Sequence, residues 1–236
     1  MIVALNNKSN LTKEEFISYQ KDLVQIQTTN NLILCPSSIH LANCNLKNYQ
    51  LGSQNVSKDE IGAHTGEITA SQLKSYNVSY CIVGHSERRQ ELKETNEEVN
   101  EKIRLLLKEK ITPILCIGET KEEREAGQVK TILETELQSA TKELTESEIE
   151  NIIIAYEPIW SIGTGIIPTI EEINEVMGFI KKYLPKSKIL YGGSANENNI
   201  DELKKCSNID GYLLGGLSLK PEKLKIFLKK LENDTH

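Results

Sequence analysis

Ile152-Ile153-Ile154-Ala155-Tyr156-Glu157-Pro158-Ile159-Trp160-Ser161-Ile162-Gly163-Thr164-Gly165 joins an apolar run to a charged end and a hinged loop. The isoleucines read as a strand buried on both faces, because they are short, continuous and β-branched. Glu157 falls where that strand ends, so its carboxylate is poised to act as a base once something covers it. Pro158 and Trp160 stiffen the exit, while Gly163 and Gly165 let backbone N–H groups approach a ligand closely. That is the layout of a lid. Taken singly, the parts are weak. A glutamate before proline is more often a solvated loop residue, and Gly-x-Gly without its third glycine falls short of a dinucleotide fingerprint.

Outward from this stretch, short apolar runs alternate with longer helical patterns. The strand candidates are Ile2–Leu5, Leu32–Cys35, Tyr49–Gln54, Tyr80–Val83, Thr112–Ile117, Ile152–Tyr156, Lys188–Tyr191 and Gly211–Leu214. Between them, four helical faces are legible at a spacing of three and four: Phe16, Tyr19, Leu23, Ile26; Val99, Ile103, Leu106, Leu107; Ile170, Ile173, Met177, Ile180, Leu184; and Leu224, Phe227, Leu228, Leu231. Thr169-x-x-Glu172 is a capping box for the third, and Pro221 is a first-turn proline for the fourth. A short, weakly patterned helix is expected around Ser71–Asn77. Eight strands alternating with helices predict an α/β fold with a parallel sheet. Closed on itself, that sheet is a single-domain (β/α)8 barrel over residues 1–236, with its site at the C-terminal ends of the strands. An open, doubly wound sheet fits the same periodicity.

A net charge of −6 over 236 residues lacks the clustered Lys and Arg of a nucleic-acid footprint. The opening Met1-Ile2-Val3-Ala4-Leu5-Asn6 has no basic flank or long apolar core, and no apolar run reaches the ~18 residues of a membrane span. Neither a membrane nor a nucleic acid is therefore expected as a partner. The five cysteines contain no Cys-x-x-Cys pair and read as reduced thiols of a cytoplasmic protein, with Cys81 and Cys116 in the core. No His/Cys/Asp/Glu set has metal-ligand spacing, so no metal is expected.

The strand ends carry Asn6-Asn7-Lys8, Gly84-His85-Ser86-Glu87-Arg88-Arg89, Glu157, Gly192-Gly193-Ser194 and Gly215-Gly216. Each has a bland reading as loop lysine, structural histidine, exposed charge run or turn. In a barrel they would converge on one mouth. His40, His64 and His236 have no such placement and read as structural.

Further stretches are Gln54-Asn55-Val56-Ser57, Gly62-Ala63-His64-Thr65-Gly66-Glu67, Cys116-Ile117-Gly118-Glu119, Glu122-Glu123-Arg124-Glu125-Ala126-Gly127, Tyr191-Gly192-Gly193-Ser194 and Asp210-Gly211-Tyr212-Leu213-Leu214-Gly215-Gly216. With Val83-Gly84-His85-Ser86-Glu87-Arg88-Arg89 and the lid, the chain resembles the triosephosphate isomerase family along nearly its whole length. The resemblance implies a TIM barrel and a cofactor-independent isomerase of triose phosphates. It implies Glu157 as base and His85 as electrophile, the glutamate and neutral histidine pair for which the family is known. Lys8 and Asn6 match its other catalytic contacts, and Glu87 a supporting carboxylate beside the lysine. Gly163, Ser194, Gly215 and Gly216, with Asn6 and Lys8, match its substrate contacts, where N–H donors suit a phosphate dianion. Residues 54–67 match a loop that docks into a second subunit with Thr65 near its tip, implying a homodimer.

Three features depart from the family pattern. Asn7 and Ser9 stand where Trp and Met are usual, so looser packing behind the lysine is expected. Ile166-Ile167-Pro168 replaces a lysine followed by small residues, and Pro168 fixes one φ angle in the hinge. The segment between Gly165 and Tyr191 is short. A different phosphosugar barrel, or a barrel that binds a partner protein with catalysis weakened, are the alternative readings.

Overall fold

The computed structural model describes residues 1–233; His236 lies outside them. Its strands are β1 (Ile2–Asn6), β2 (Asn31–Cys35), β3 (Gln50–Ser53), β4 (Tyr80–Val83), β5 (Thr112–Ile117), β6 (Ile153–Tyr156), β7 (Ile189–Tyr191) and β8 (Gly211–Leu214). They pair in parallel in sequence order, and β8 returns to β1 with Gly211 opposite Ile2 and Leu214 opposite Leu5. The closed barrel removes the open-sheet alternative.

Two cores follow from the period of two along each strand. Ala4, Ile33, Cys35, Ile82, Ile114, Cys116, Ile153, Ala155, Leu190 and Leu213 fill the barrel. Their neighbours, such as Val3, Leu5, Ile154 and Tyr156, point outward to the helices. Continuing the inward row past the strand ends gives Asn6 after Ala4, Glu157 after Ala155, Gly192 after Leu190 and Gly215 after Leu213. The alternation that fills the barrel therefore also aims Asn6 and Glu157 into its mouth.

The helices are α1 (Lys13–Leu23), α2 (Ala70–Ser75), α3 (Ser86–Glu91), α4 (Asn96–Lys108), α5 (Lys121–Glu125), α6 (Val129–Ala140), α7 (Glu146–Ile149), α8 (Ile170–Tyr183), α9 (Ile200–Leu203) and α10 (Pro221–Glu232). The four expected faces lie on α1, α4, α8 and α10, although Ile26 and Leu184 are buried just beyond the ends of α1 and α8. The Thr169–Glu172 capping box forms, and so do boxes at Thr12–Glu15, Thr69–Gln72, Thr95–Glu98, Thr120–Glu123 and Thr145–Glu148. Each satisfies N–H groups that a helix start leaves open, worth about 1 kcal/mol. α6, with Leu133, Leu137 and Ala140 buried, is an addition to the sequence reading.

His40 is buried, its ring stacked 4.3 Å from Phe16, with Nε2 2.8 Å from the Leu11 carbonyl oxygen. His64 sits on the exposed 54–67 loop, 3.7 Å from Asp59. Both keep their structural reading. The thiols of Cys35, Cys81 and Cys116 are buried.

Candidate active site

The mouth of the barrel is a chain of charged contacts. The Lys8 ammonium pairs with the Glu87 carboxylate. Glu87 Oε2 lies 3.6 Å from His85 Nδ1, and His85 Nε2 lies 3.1 Å from Glu157 Oε1. Glu157 Oε2 also accepts the Ser86 N–H at 3.4 Å. His85 and Glu157 are both buried, so the contact between them acts in a low dielectric.

His85 is the N-cap of α3, and its Nδ1 accepts the Glu87 N–H at 3.3 Å. An accepting Nδ1 carries no proton, which leaves the ring proton on Nε2, facing Glu157. Burial opposes charge on the ring, but the Glu157 carboxylate outweighs it and lifts the His85 pKa. Burial likewise opposes charge on Glu157. His85, the Ser86 N–H and the Cys116 thiol outweigh it and hold the carboxylate below its usual range. Glu157 is therefore an ionised carboxylate in a buried site. Cys116 fills the barrel as the sequence predicts and, in addition, touches this carboxylate.

Lys8 has φ of +53°, a left-handed conformation that costs a non-glycine residue about 1–2 kcal/mol. Its N–H donates to Asn6 Oδ1 at 3.0 Å, and its carbonyl accepts from Gln54 Nε2 at 2.8 Å. Gln54 also donates to the Cys35 carbonyl, which ends β3 one residue before the sequence reading and clamps the ends of β1 and β2 together. The packing behind the lysine is not loose: Asn7 is buried and donates to Tyr19 and Ser218. A small polar side chain has replaced bulk with hydrogen bonds.

Two glycines make room for these groups. A Cβ at Gly192 would come within 2.8 Å of Glu157 Cγ, and one at Gly215 within 3.3 Å of Lys8 Cε. Lys8 thus lies against the end of the neighbouring strand β8. It joins two cavities. One, of about 380 Å³, is lined by Gly163, Ser194, Gly215 and Gly216, with Lys220 and Lys223 at its rim. The other, of about 570 Å³, holds Asn6, His85 and Glu87 and opens toward residues 54–57 and 66–68. Thr65 is exposed and precedes Gly66, which lines this cavity; it takes part in none of the charged contacts above.

The lid is fastened at both ends. Glu119 Oε1 accepts from Arg124 Nε at 2.9 Å, Trp160 Nε1 at 3.0 Å and Tyr156 OH at 3.2 Å, and Arg124 reaches on to Glu172 of α8. The Ser194 hydroxyl donates to the Ser161 carbonyl at 2.6 Å and accepts the Gly165 N–H at 3.3 Å. Ser194 therefore ties the lid to the end of β7. Ser161 and Gln54 lie inside the stretches read from the sequence, but their partners are distant in the chain, so no local pattern marks them.

The fold and site define a (β/α)8 barrel enzyme with a buried carboxylate and imidazole in contact at its mouth and, joined to them through Lys8 and Glu87, a glycine-lined pocket suited to a small anion. A family model described as Triosephosphate isomerase matches residues 1–232. Triosephosphate isomerase from Mycoplasmopsis agalactiae is 48% identical over 197 residues, covering 79% of this chain and 74% of the relative. Those of Dictyoglomus thermophilum and Colwellia psychrerythraea are each 39% identical, covering 94% and 95% of this chain and 95% of each relative. The chain belongs to the triosephosphate isomerase family and is an isomerase.

Proposed function

We propose that the chain interconverts dihydroxyacetone phosphate and glyceraldehyde 3-phosphate through an enediolate, without a cofactor. The observation that carries this reading is the buried Glu157 carboxylate, 3.1 Å from a His85 ring whose proton is on Nε2. Glu157 takes a proton from one carbon and returns it to the next. His85 Nε2–H polarises the carbonyl, and the Lys8 ammonium, with Asn6 beside it, stabilises the oxyanion that forms. Glu87 holds Lys8 in place. The phosphate sits against backbone N–H groups of Gly163, Ser194, Gly215 and Gly216. The lid excludes water, which would otherwise let the enediolate lose phosphate.

The same reading makes the protein a cytoplasmic homodimer built from single barrel domains. Five thiols, three of them buried, suit a reducing compartment. Ile39 and Ile61 are each 73% exposed and Leu92 63%, all beside the larger cavity or on the 54–67 loop, where a second copy would cover them. Its Thr65 loop then fills the cavity next to Lys8.

The test is turnover of glyceraldehyde 3-phosphate by the purified protein beside Glu157→Gln. A positioned base is worth roughly 10²–10⁴ in rate. Conversion that collapses by that much in the variant is expected; conversion that survives it removes Glu157 from its role.

A further inference from the structure

We propose that Asn7 is a positioning residue that sets the spacing between the Lys8 ammonium and the phosphate seat; this rests on the reading of the site given above. Asn7 is 1% exposed and sits between the turn that carries Lys8 and the 3-10 turn Gly216–Leu219 after β8. Its Nδ2 donates to Tyr19 OH on α1 and to Ser218 Oγ, each at 3.1 Å. The Tyr19 hydroxyl spends its proton on the Ser218 carbonyl at 2.6 Å, and the Ser218 hydroxyl spends its own on the Asn6 carbonyl at 3.1 Å.

Both hydroxyl oxygens can then only accept, so only the NH2 of Asn7 can serve them and the amide has one orientation. That orientation leaves Asn7 Oδ1 buried with no partner. Buried orphaned oxygens are uncommon because they lose hydration for nothing. An apolar side chain would avoid that loss. What the amide supplies instead is a cross-link: β1, α1 and the turn after β8 are drawn to one point. Asn10 Nδ2, bound to the Asn7 carbonyl at 2.8 Å, braces the same turn from the other side. Lys8 adopts its left-handed backbone next to this point, and its Cε would lie 3.3 Å from a Cβ at Gly215. The cation that meets the oxyanion and the N–H groups that meet the phosphate thus share one anchor.

The experiment compares wild type, Asn7→Leu, Tyr19→Phe and the double variant. It measures kcat and KM for glyceraldehyde 3-phosphate, the inhibition constant of inorganic phosphate, and the melting temperature. Inorganic phosphate lacks the carbon skeleton whose oxyanion Lys8 would meet, so its inhibition constant reports the phosphate seat, which Lys8 also lines, and not the distance between the two ends. Asn7→Leu should lose about tenfold in kcat/KM, mostly in kcat, since small misplacements cost one to two decades. Its phosphate inhibition constant should stay within about twofold and its melting temperature should not fall. Tyr19→Phe should lose about threefold, and the double variant no more than Asn7→Leu alone, because both act through one network. If Asn7→Leu fails to fold, Tyr19→Phe with its about threefold loss falling in kcat and unchanged phosphate inhibition carries the inference. Catalysis within twofold of wild type in both variants overturns it, as does a loss that tracks weaker phosphate binding and lower stability. A wild type without turnover overturns the reading of the site itself, and the inference with it.

Discussion

Glu136 makes stability depend on pH in a way that one substitution should erase. It lies on α6 with its carboxylate buried behind the mouth, accepting the Gly118 N–H at 3.0 Å, with Arg89 Nε 3.7 Å away. Burial pushes its pKa up to about 7; Arg89 and the Gly118 N–H pull it down, while Glu123 and Glu157 add to the rise. Against the ordinary value of 4.5, that is about 2.5 pH units, or about 3 kcal/mol at about 1.4 kcal/mol per unit. The folded state keeps a proton that the unfolded state releases, so this stability is complete below about pH 4.5 and is lost as pH rises through about 7. An amide at 136 can still accept the Gly118 N–H, but it has no proton to lose. Urea unfolding at pH 5, 6, 7, 8 and 8.5, at fixed protein concentration, measures the difference between Glu136→Gln and wild type. Subtraction cancels other titrating groups. The variant should match wild type or fall slightly below it at pH 5, and gain about 3 kcal/mol on it by pH 8.5, most of it between pH 5 and 7.5. A difference that stays flat within about 0.5 kcal/mol would refute the reasoning, because Arg89 would then be holding Glu136 ionised throughout.

Ser194→Ala removes two hydrogen bonds that hold the lid, each worth about 1 kcal/mol, and should lower kcat/KM about tenfold. Trp160 is the one tryptophan and lies in the lid, so its fluorescence anisotropy should fall in the same variant; unchanged anisotropy would disconnect Ser194 from lid closure. Leu92→Glu places a charge on the exposed apolar rim of the larger cavity and should shift sedimentation from about twice the 26.6 kDa chain mass to the chain mass itself. A variant that sediments like wild type argues against that face as the dimer contact.

The strands could be read to within a residue or two because each is a short apolar run, and a buried parallel strand needs nothing else. The helix faces on α1, α4, α8 and α10 were equally plain. α6 is less plain although Leu133, Leu137 and Ala140 repeat properly, because Ile132 falls off that face and blurs the contrast. All six capping boxes stand in the sequence as Thr-x-x-Glu or Thr-x-x-Gln and recur more often than the apolar patterns suggest. The site was legible as residue types at strand ends, and the resemblance supplied their roles. Looser packing at Asn7 was the wrong expectation, since volume was weighed there and hydrogen bonding was not.

By itself the sequence determined the alternation of strand and helix, the inward row that ends in Asn6 and Glu157, and the family. These depend on patterns within a few residues of one another. Closure of the sheet was decided by β8 pairing with β1, and residues more than two hundred positions apart carry no periodic trace of that pairing. The same holds for His85 Nε2 beside Glu157, the lid tied to Ser194, the raised pKa of Glu136 and the orphaned oxygen of Asn7. Each is a balance of burial against partners brought from elsewhere in the chain, and burial exists only once the barrel has closed.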